Sequence, residues 1–368
     1  MSSKKIVRLP TDEKIIQMAR HVRVQGLAGE DPRFNVPSRT LANVNFNEVK
    51  RIIEMGDGKT AREFFNLGQS KKFMQTMLVA EACKRLVDAG KTNSIRDLYY
   101  MTKHTIAGTR ENTFDDQAES DPIIEDLEVT LDSLREELHL FASNKGAMVG
   151  EITVVDGGDV IDARRMGTGG WSVPSIVEPD VIQFRECEAK FVLLVEKDAM
   201  WRRLNEDKFW KKHHCILIHG GGQPPRGVRR LMHRMVHELK LPLYVFVDND
   251  PWGYYIYSVV KQGSISLAYE SRRMAIPSAK FIGLSSADVE KFQIPDEVTI
   301  RLEDTDIARA KEIMAYPWFT GNKAWQKEIQ RMLSSKVKLE LEALSAKGIT
   351  FASDEYLPRK LKEKDFLD

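Results

Sequence analysis

Cysteine is almost missing from this chain: three residues in 368, Cys83, Cys187 and Cys215. They lie far apart with no paired ligand spacing, so neither a disulfide framework nor a thiolate zinc site is expected. No run of about eighteen apolar residues occurs, and residues 1–8 lack the apolar core of a signal peptide. A soluble, cytoplasmic protein without a membrane partner is the expectation. None of the eight histidines forms a metalloprotease-type pair. No Gly-Lys-Ser/Thr follows the one glycine-rich turn, so the chain shows no ATP site of its own. Net charge of one sign is also lacking, the balance being +1.

That balance hides an asymmetry. Residues 1–110 hold 20 Lys and Arg against 11 Asp and Glu, and the remainder holds 35 against 43. A basic first third is suited to a phosphate backbone, and an acidic remainder to cations. Opposite charges that merely help two domains dock are the plainer reading. Residues 111–137 carry eleven acidic residues and only Arg135 as a base. Such a run is expected to be a solvated helical face.

The length suits two domains behind an N-terminal extension. Residues 1–70 read as that extension, with helical pieces at 13–22 and 47–55 and a loop at 31–37. From Lys71, the apolar residues Phe73, Met77, Ala80, Cys83 and Leu86 recur at helical spacing until Ala89-Gly90. A second helix starts at Asn93 or Ser94 and a third is expected over 122–141. Residues 147–156 read as a strand, and Gly157-Gly158 turns it back into 160–163. Two helices and a hairpin suggest a winged helix-turn-helix domain over 71–150. Beyond 151 the pattern becomes strand and helix in alternation: strands at 191–195, 215–218 and 243–247, helices at 199–211, 227–240 and 254–261. The expected fold class is α/β, with a parallel sheet covered on both faces.

Two places carry chemistry. Tyr99 and Tyr100 stand side by side in the second helix, and Arg96 shares a face with Tyr100 at i, i+4. A phenol of ordinary pKa near 10 costs roughly 4 kcal/mol to ionise at neutral pH, so a nucleophilic role needs help. Spacing alone does not choose between the two hydroxyls. The second place is a sheet edge. Glu196 follows one strand, Asp248 another, and Asp250 lies two residues on, pointing the same way in extended backbone. Three carboxylates at the carboxyl ends of parallel strands invite a hard divalent cation such as Mg²⁺. The alternative is that Asp248-Asn-Asp-Pro251 is only a polar turn. The turn His219-Gly-Gly-Gly222 before Arg226, Arg229 and Arg230 is either a phosphate cradle or a tight connection. His213-His214 is expected to cap the helix before it.

In series, Arg96-Asp-Leu-Tyr-Tyr100, Val195-Glu-Lys-Asp198, Gly222-Gln-Pro-Pro-Arg-Gly-Val-Arg-Arg230 and Val247-Asp-Asn-Asp-Pro-Trp-Gly253 resemble the A subunits of archaeal DNA topoisomerase VI. The meiotic double-strand-break proteins of eukaryotes are similar. The likeness runs from about residue 70 to the segment Trp318-Phe-Thr-Gly-Asn322. It implies a winged-helix domain followed by a Toprim domain over 151–368, in a nucleoid-associated type IIB topoisomerase. It selects Tyr100 as the nucleophile for a 5′-phosphotyrosyl link, with Arg96 beside it. Glu196 becomes general acid/base or metal ligand, and Asp248 and Asp250 hold Mg²⁺. The implied partners are double-stranded DNA, a second copy of the chain, and an ATPase B subunit that completes a heterotetramer and binds the ATP. One departure is Val228, where relatives usually carry threonine. Two other readings stand beside this one. An apolar strand ending in Asp-x-Asp also fits a haloacid-dehalogenase-like phosphatase using Asp248, and the helices and hairpin fit a non-enzymatic winged-helix DNA binder.

Overall fold

A computed structural model describes residues 9–368, so residues 1–8, read above for their missing apolar core, lie outside it. The chain forms two compact units, one running to Asn43 and over Gly56–Ser143, the other comprising Val44–Met55 and Asn144–Asp368.

The first unit opens with helix α1 (Thr11–Leu27) and strand β1 (Arg33–Pro37). Next in sequence comes a hairpin of the second unit, β2 (Val44–Asn47) and β3 (Ile52–Met55), before β4 (Lys59–Glu63) pairs antiparallel with β1. Most of the loop expected at 31–37 is therefore strand, and the helix expected at 47–55 is the turn and second strand of a hairpin. At the second position local turn chemistry overrides helical spacing: Asn47 Oδ1 accepts the Lys50 N–H at 2.9 Å, and Arg51 takes a positive φ of 58°. The reversal lets Ile52 and Ile53 be buried.

Helix α2 (Ser70–Ala89) stops at Gly90, whose φ of 59° turns its N–H back to the Leu86 carbonyl. A two-residue strand, β5 (Asn93–Ser94), leads into α3 (Ile95–Thr102); α4 (Gln117–Leu131) and β6 (Leu140–Phe141) complete the unit. Val79 and Cys83 of α2, Leu98 of α3, and Ile124 and Leu127 of α4 share one core. The helix expected at 122–141 starts earlier, capped by Asp116, and ends at Asp132 in the left-handed region. The acidic run is only partly solvated. Asp126 is buried between Arg39 and Arg62 at 2.9 and 2.8 Å, and Glu128 is buried 3.6 Å from Arg135. Burying a charge requires such partners, and two of these arginines are remote in sequence, which is why spacing did not reveal them.

The second unit contains two sheets of three or more strands. The expected hairpin forms from β8 (Ile152–Asp156) and β9 (Asp159–Asp162) after a short β7 (Ala147–Gly150). It belongs to this unit, in a three-stranded sheet with β11 (Ile182–Cys187), and so is not the wing of α2 and α3. Within the first unit, a smaller antiparallel turn follows α3, where Thr105 bridges Asn112. The larger sheet has the order β10-β7-β13-β12-β14-β15, with β10 (Trp171–Ser172), β12 (Phe191–Val195), β13 (Cys215–His219), β14 (Leu243–Phe246) and β15 (Lys280–Gly283). Strands β13, β12 and β14 are parallel as expected, and β15, not expected from the sequence, continues the parallel set; β7 extends the sheet antiparallel.

Side chains of β12 alternate between two cores. Val192 and Leu194 join α7 (Arg226–Glu238) and α8 (Pro251–Gln262) on one face, while Leu193 and Val195 join α5 (Asp198–Glu206) and α6 (Phe209–Lys212) on the other. The expected 199–211 helix is thus two helices, broken where Lys208 takes a φ of 53°. Chain direction reverses around β12: the connection after β12 runs to β13 on one side, and the one after β14 runs to β15 on the other. This makes the carboxyl ends of β12 and β14 the switch point of the sheet, where open α/β folds open a crevice for ligands. Among the described residues no helix is long and apolar enough to cross a membrane.

Candidate active site

Helix α3 begins because Ser94 caps it, its hydroxyl accepting the Asp97 N–H at 3.0 Å. The two tyrosines it carries have different surroundings. Tyr99 is buried, with its ring packed edge-on to Tyr100 at 5.0 Å and to Phe114 at 6.4 Å. Its hydroxyl donates to the Asp115 carbonyl at 3.2 Å and accepts from Lys103 Nζ at 2.7 Å. Tyr100 is 60 % exposed, and its hydroxyl makes no hydrogen bond among the described residues. Arg96 is exposed on the same helix. The structure therefore separates, by burial, two hydroxyls that sequence spacing left equivalent.

At the switch point, the register Val195 opposite Phe246 places Glu196 next to the chain leading into Asp248. Glu196 Oε2 accepts the Asp248 N–H at 3.0 Å. Asp248 Oδ1 accepts the Leu341 N–H at 2.8 Å, and Oδ2 lies 2.9 Å from Lys197 Nζ. Asp250 caps α8, accepting the Gly253 N–H at 2.6 Å. That helix starts so close to the acidic turn that a Cβ on Gly253 would lie 2.4 Å from the Asp248 carbonyl oxygen, which explains the glycine after Trp252. Between the two aspartates, Asn249 is fully buried. Its side-chain oxygen lies 2.5 Å from the Tyr254 hydroxyl, which is itself 2.8 Å from Glu328.

Burial raises all three carboxyls above their ordinary values. Burial, then repulsion by Asp248, pushes Glu196 up to about 7. Burial raises Asp248 to about 6 against the pull of Lys197 and the Leu341 N–H, and it raises Asp250 as well. All three donors are hard oxygens suited to Mg²⁺-type cations. Even so, among the described residues no three acidic, histidine or cysteine groups stand assembled as a ready metal cluster. Lys197 engages Asp248, and the N-terminus of α8 engages Asp250.

A stability consequence follows from Glu196. Its folded pKa lies above the ordinary 4.5, so between about 4.5 and 7 the folded chain keeps a proton that the unfolded chain has lost. Stability therefore falls as pH rises through that window, by about 3 kcal/mol in full. Glu196→Gln keeps the acceptor for the Asp248 N–H and removes the charge. In EDTA, its thermal midpoint is expected to exceed wild type by several degrees at pH 8 and by little at pH 5; a difference independent of pH would show that Glu196 is not a proton holder.

The glycine-rich turn behaves as a tight connection. The Gly222 N–H donates to the Glu196 carbonyl at 2.9 Å, and a Cβ on Gly220 would meet Pro224 at 2.4 Å. Two of its arginines are engaged within the second unit, Arg226 with the Tyr269 hydroxyl at 2.8 Å and Arg230 with Glu178 at 2.9 Å, while Arg229 is buried with no hydrogen-bond partner for its Nε among the described residues. Val228 lies fully inside the core. His213 does close the short helix before it, whereas His214 pairs with Glu151 at 2.8 Å. Sequence reasoning passed over Lys197 although it lies within a quoted motif. It also passed over Glu340 and Glu342, which reach the same ammonium from nearly 150 residues away; the pairing of Asn249 with Leu339 and the bond from the Leu341 N–H to Asp248 bring that segment here.

Known proteins resolve the class. Residues 71–140 match the family described as type IIB DNA topoisomerase, residues 144–188 the all-beta domain in DNA topoisomerase VI alpha subunit, and residues 191–361 the Toprim domain of topoisomerase 6 A subunits and Spo11. The A subunit of type 2 DNA topoisomerase 6 from Pyrococcus abyssi is 45 % identical over 365 residues, covering 96 % of this chain and 94 % of the relative. That of Pyrococcus horikoshii is 44 % identical with the same coverage. The A3 subunit of DNA topoisomerase 6 from Oryza sativa subsp. indica is 36 % identical over 342 residues, covering 93 % and 75 %. The chain belongs to the family of DNA topoisomerase 6 A subunits and is the DNA-cleavage subunit of a type IIB topoisomerase. The phosphatase and non-enzymatic readings find no support. The Toprim domain implies a divalent cation.

Proposed function

We propose that this chain cuts and rejoins double-stranded DNA through Tyr100, with Mg²⁺ held by Glu196, Asp248 and Asp250. The observation that carries the reading is the contrast within the tyrosine pair: Tyr99 is buried and hydrogen-bonded, and Tyr100 is exposed, its hydroxyl without a hydrogen bond among the described residues. Tyr100 Oη attacks the phosphorus, an O–P bond to the 5′ side forms, and the bond to the 3′ oxygen breaks. The linkage keeps the phosphodiester's bond energy, so the 3′-hydroxyl can reverse the step. Arg96, on the same helix, faces the phosphate charge. Glu196, with a pKa near 7, is matched to handing a proton on or off at neutral pH. When bound, the cation would neutralise charge building on the phosphate and the leaving oxygen.

Tyr100 and the carboxylates belong to different compact units. We read the working form as a homodimer in which each protomer's tyrosine serves the other's carboxylates, so that both strands are cut. The relatives are named as A subunits, which supports a heterotetramer completed by an ATPase B subunit, with ATP bound by that partner. The first unit is read as a winged-helix domain, with the turn at 104–113 in the place of the wing. In the test, the chain, its B subunit, DNA, Mg²⁺ and a non-hydrolysable nucleotide are combined and then denatured. Protein joined to 5′ DNA ends is expected, and it should disappear in EDTA; undiminished cleavage in EDTA would eliminate the cation.

A further inference from the structure

Lys197 holds a position that the proposed chemistry does not yet use. Its ammonium lies 2.9 Å from Asp248 Oδ2, 3.1 Å from Glu340 Oε2 and 3.0 Å from Glu342 Oε2. An ammonium has three N–H donors, and here each has one carboxylate. The three acceptors differ: Asp248 is buried at the switch point, whereas Glu340 and Glu342 are about half exposed. Asp248 Oδ1 accepts a backbone donor, the Leu341 N–H, whereas Oδ2 is held by a side chain that can move aside, so Oδ2 is the oxygen that can be given up whole to another cation.

We propose that Lys197 is the cation of the acidic site while metal is absent, and that Glu340 and Glu342 keep its ammonium once Asp248 turns to the metal. The inference rests on the reading of Asp248 as a metal ligand and deepens it: it assigns a positioning residue and a two-carboxylate dock. Without a positive charge, Glu196, Asp248 and Asp250 crowd one rim and repel one another. Lys197 relieves this and holds Asp248 in place. An arriving divalent cation repels the ammonium and competes for Oδ2. The ammonium can yield because two of its three partners are already in contact outside the site, so release leaves no unpaired charge. Its long stem is partly exposed and free to swing the short distance required. Apparent metal affinity is then set by an exchange of one cation for another.

The experiment is a double-mutant cycle on the full chain, with free Mn²⁺ counted by electron paramagnetic resonance at fixed pH. Lys197→Met is expected to tighten Mn²⁺ binding roughly five- to ten-fold, since both the competitor and its charge are gone. The pair Glu340→Gln/Glu342→Gln is expected to weaken binding by a similar factor, because Lys197 loses its dock and holds Asp248 more firmly. In the Lys197→Met background, the same pair should change affinity by less than about twofold. Unchanged or weaker binding in Lys197→Met overturns the inference. So does a full loss from the glutamine pair in that background, which would make Glu340 and Glu342 act on the metal directly. Asp248→Ala separates the two levels of the reading. If wild type binds no more Mn²⁺ than Asp248→Ala, the metal assignment itself fails; if wild type binds more and Lys197→Met does not differ from it, only the exchange fails.

Discussion

Tyr100→Phe is expected to abolish the covalent DNA adduct, a loss of at least about a thousandfold, while Tyr99→Phe leaves adduct formation within a few fold of wild type. The asymmetry comes from the two surroundings. Removing the Tyr100 hydroxyl changes no hydrogen bond among the described residues, so the protein should unfold at an unchanged temperature and lose only its nucleophile. Removing the Tyr99 hydroxyl takes the 2.7 Å partner from Lys103, but Lys103 still donates to the Asp115 carbonyl at 2.9 Å. That change should cost about 1 kcal/mol of stability and no chemistry. Labelled DNA on a denaturing gel reads the adduct, and thermal unfolding reads the rest. Were Tyr100→Phe to keep the adduct and Tyr99→Phe to lose it, the nucleophile would be Tyr99 and its burial would have to be relieved on DNA.

The same pair shows what a sequence can and cannot display. Helical spacing and the Ser94 cap placed both tyrosines on one short helix, and the family motif pointed to Tyr100. The feature that distinguishes them physically, the fold of 104–115 back over Tyr99, is a long-range event with no local pattern. The sheet edge was legible for a similar reason. Apolar runs ending in acid mark strand termini directly, and alternation with helices fixed the parallel arrangement that gathers them. Strand order was not legible, so the switch point emerged only from the observed pairing of β12 with both β13 and β14. Periodicity misled where it was weakest, in the hairpin at 44–55, whose Asn47 turn outweighs a brief helical spacing. The acidic run misled because a charge's partner is invisible until the chain is folded: Arg39 and Arg62 reach Asp126 from far upstream. Lys197 was hidden for the same reason.

Asp250 offers the second large effect, and a test that separates chemistry from folding. Its carboxylate does two things: it caps α8 through the Gly253 N–H, and it contributes charge to the rim. Asparagine is as good a cap as aspartate but carries no charge. Asp250→Asn should therefore fold as well as wild type, and in EDTA above neutral pH slightly better, because burial has raised Asp250 and its repulsion of Glu196 is removed. Its Mg²⁺-dependent cleavage is nonetheless expected to fall on the order of a hundredfold or more. Asp250→Ala should lose the same activity and, in addition, about 1 kcal/mol of stability with the cap. Equal cleavage by Asp250→Asn and wild type across a Mg²⁺ titration would reduce Asp250 to a capping residue and leave Glu196 and Asp248 to hold the metal alone. If instead only Asp250→Ala loses cleavage, and in proportion to its lost stability, the defect belongs to the helix start. The contrast between two side chains of nearly equal size thus decides whether the charge or the hydrogen bond at this position serves the reaction.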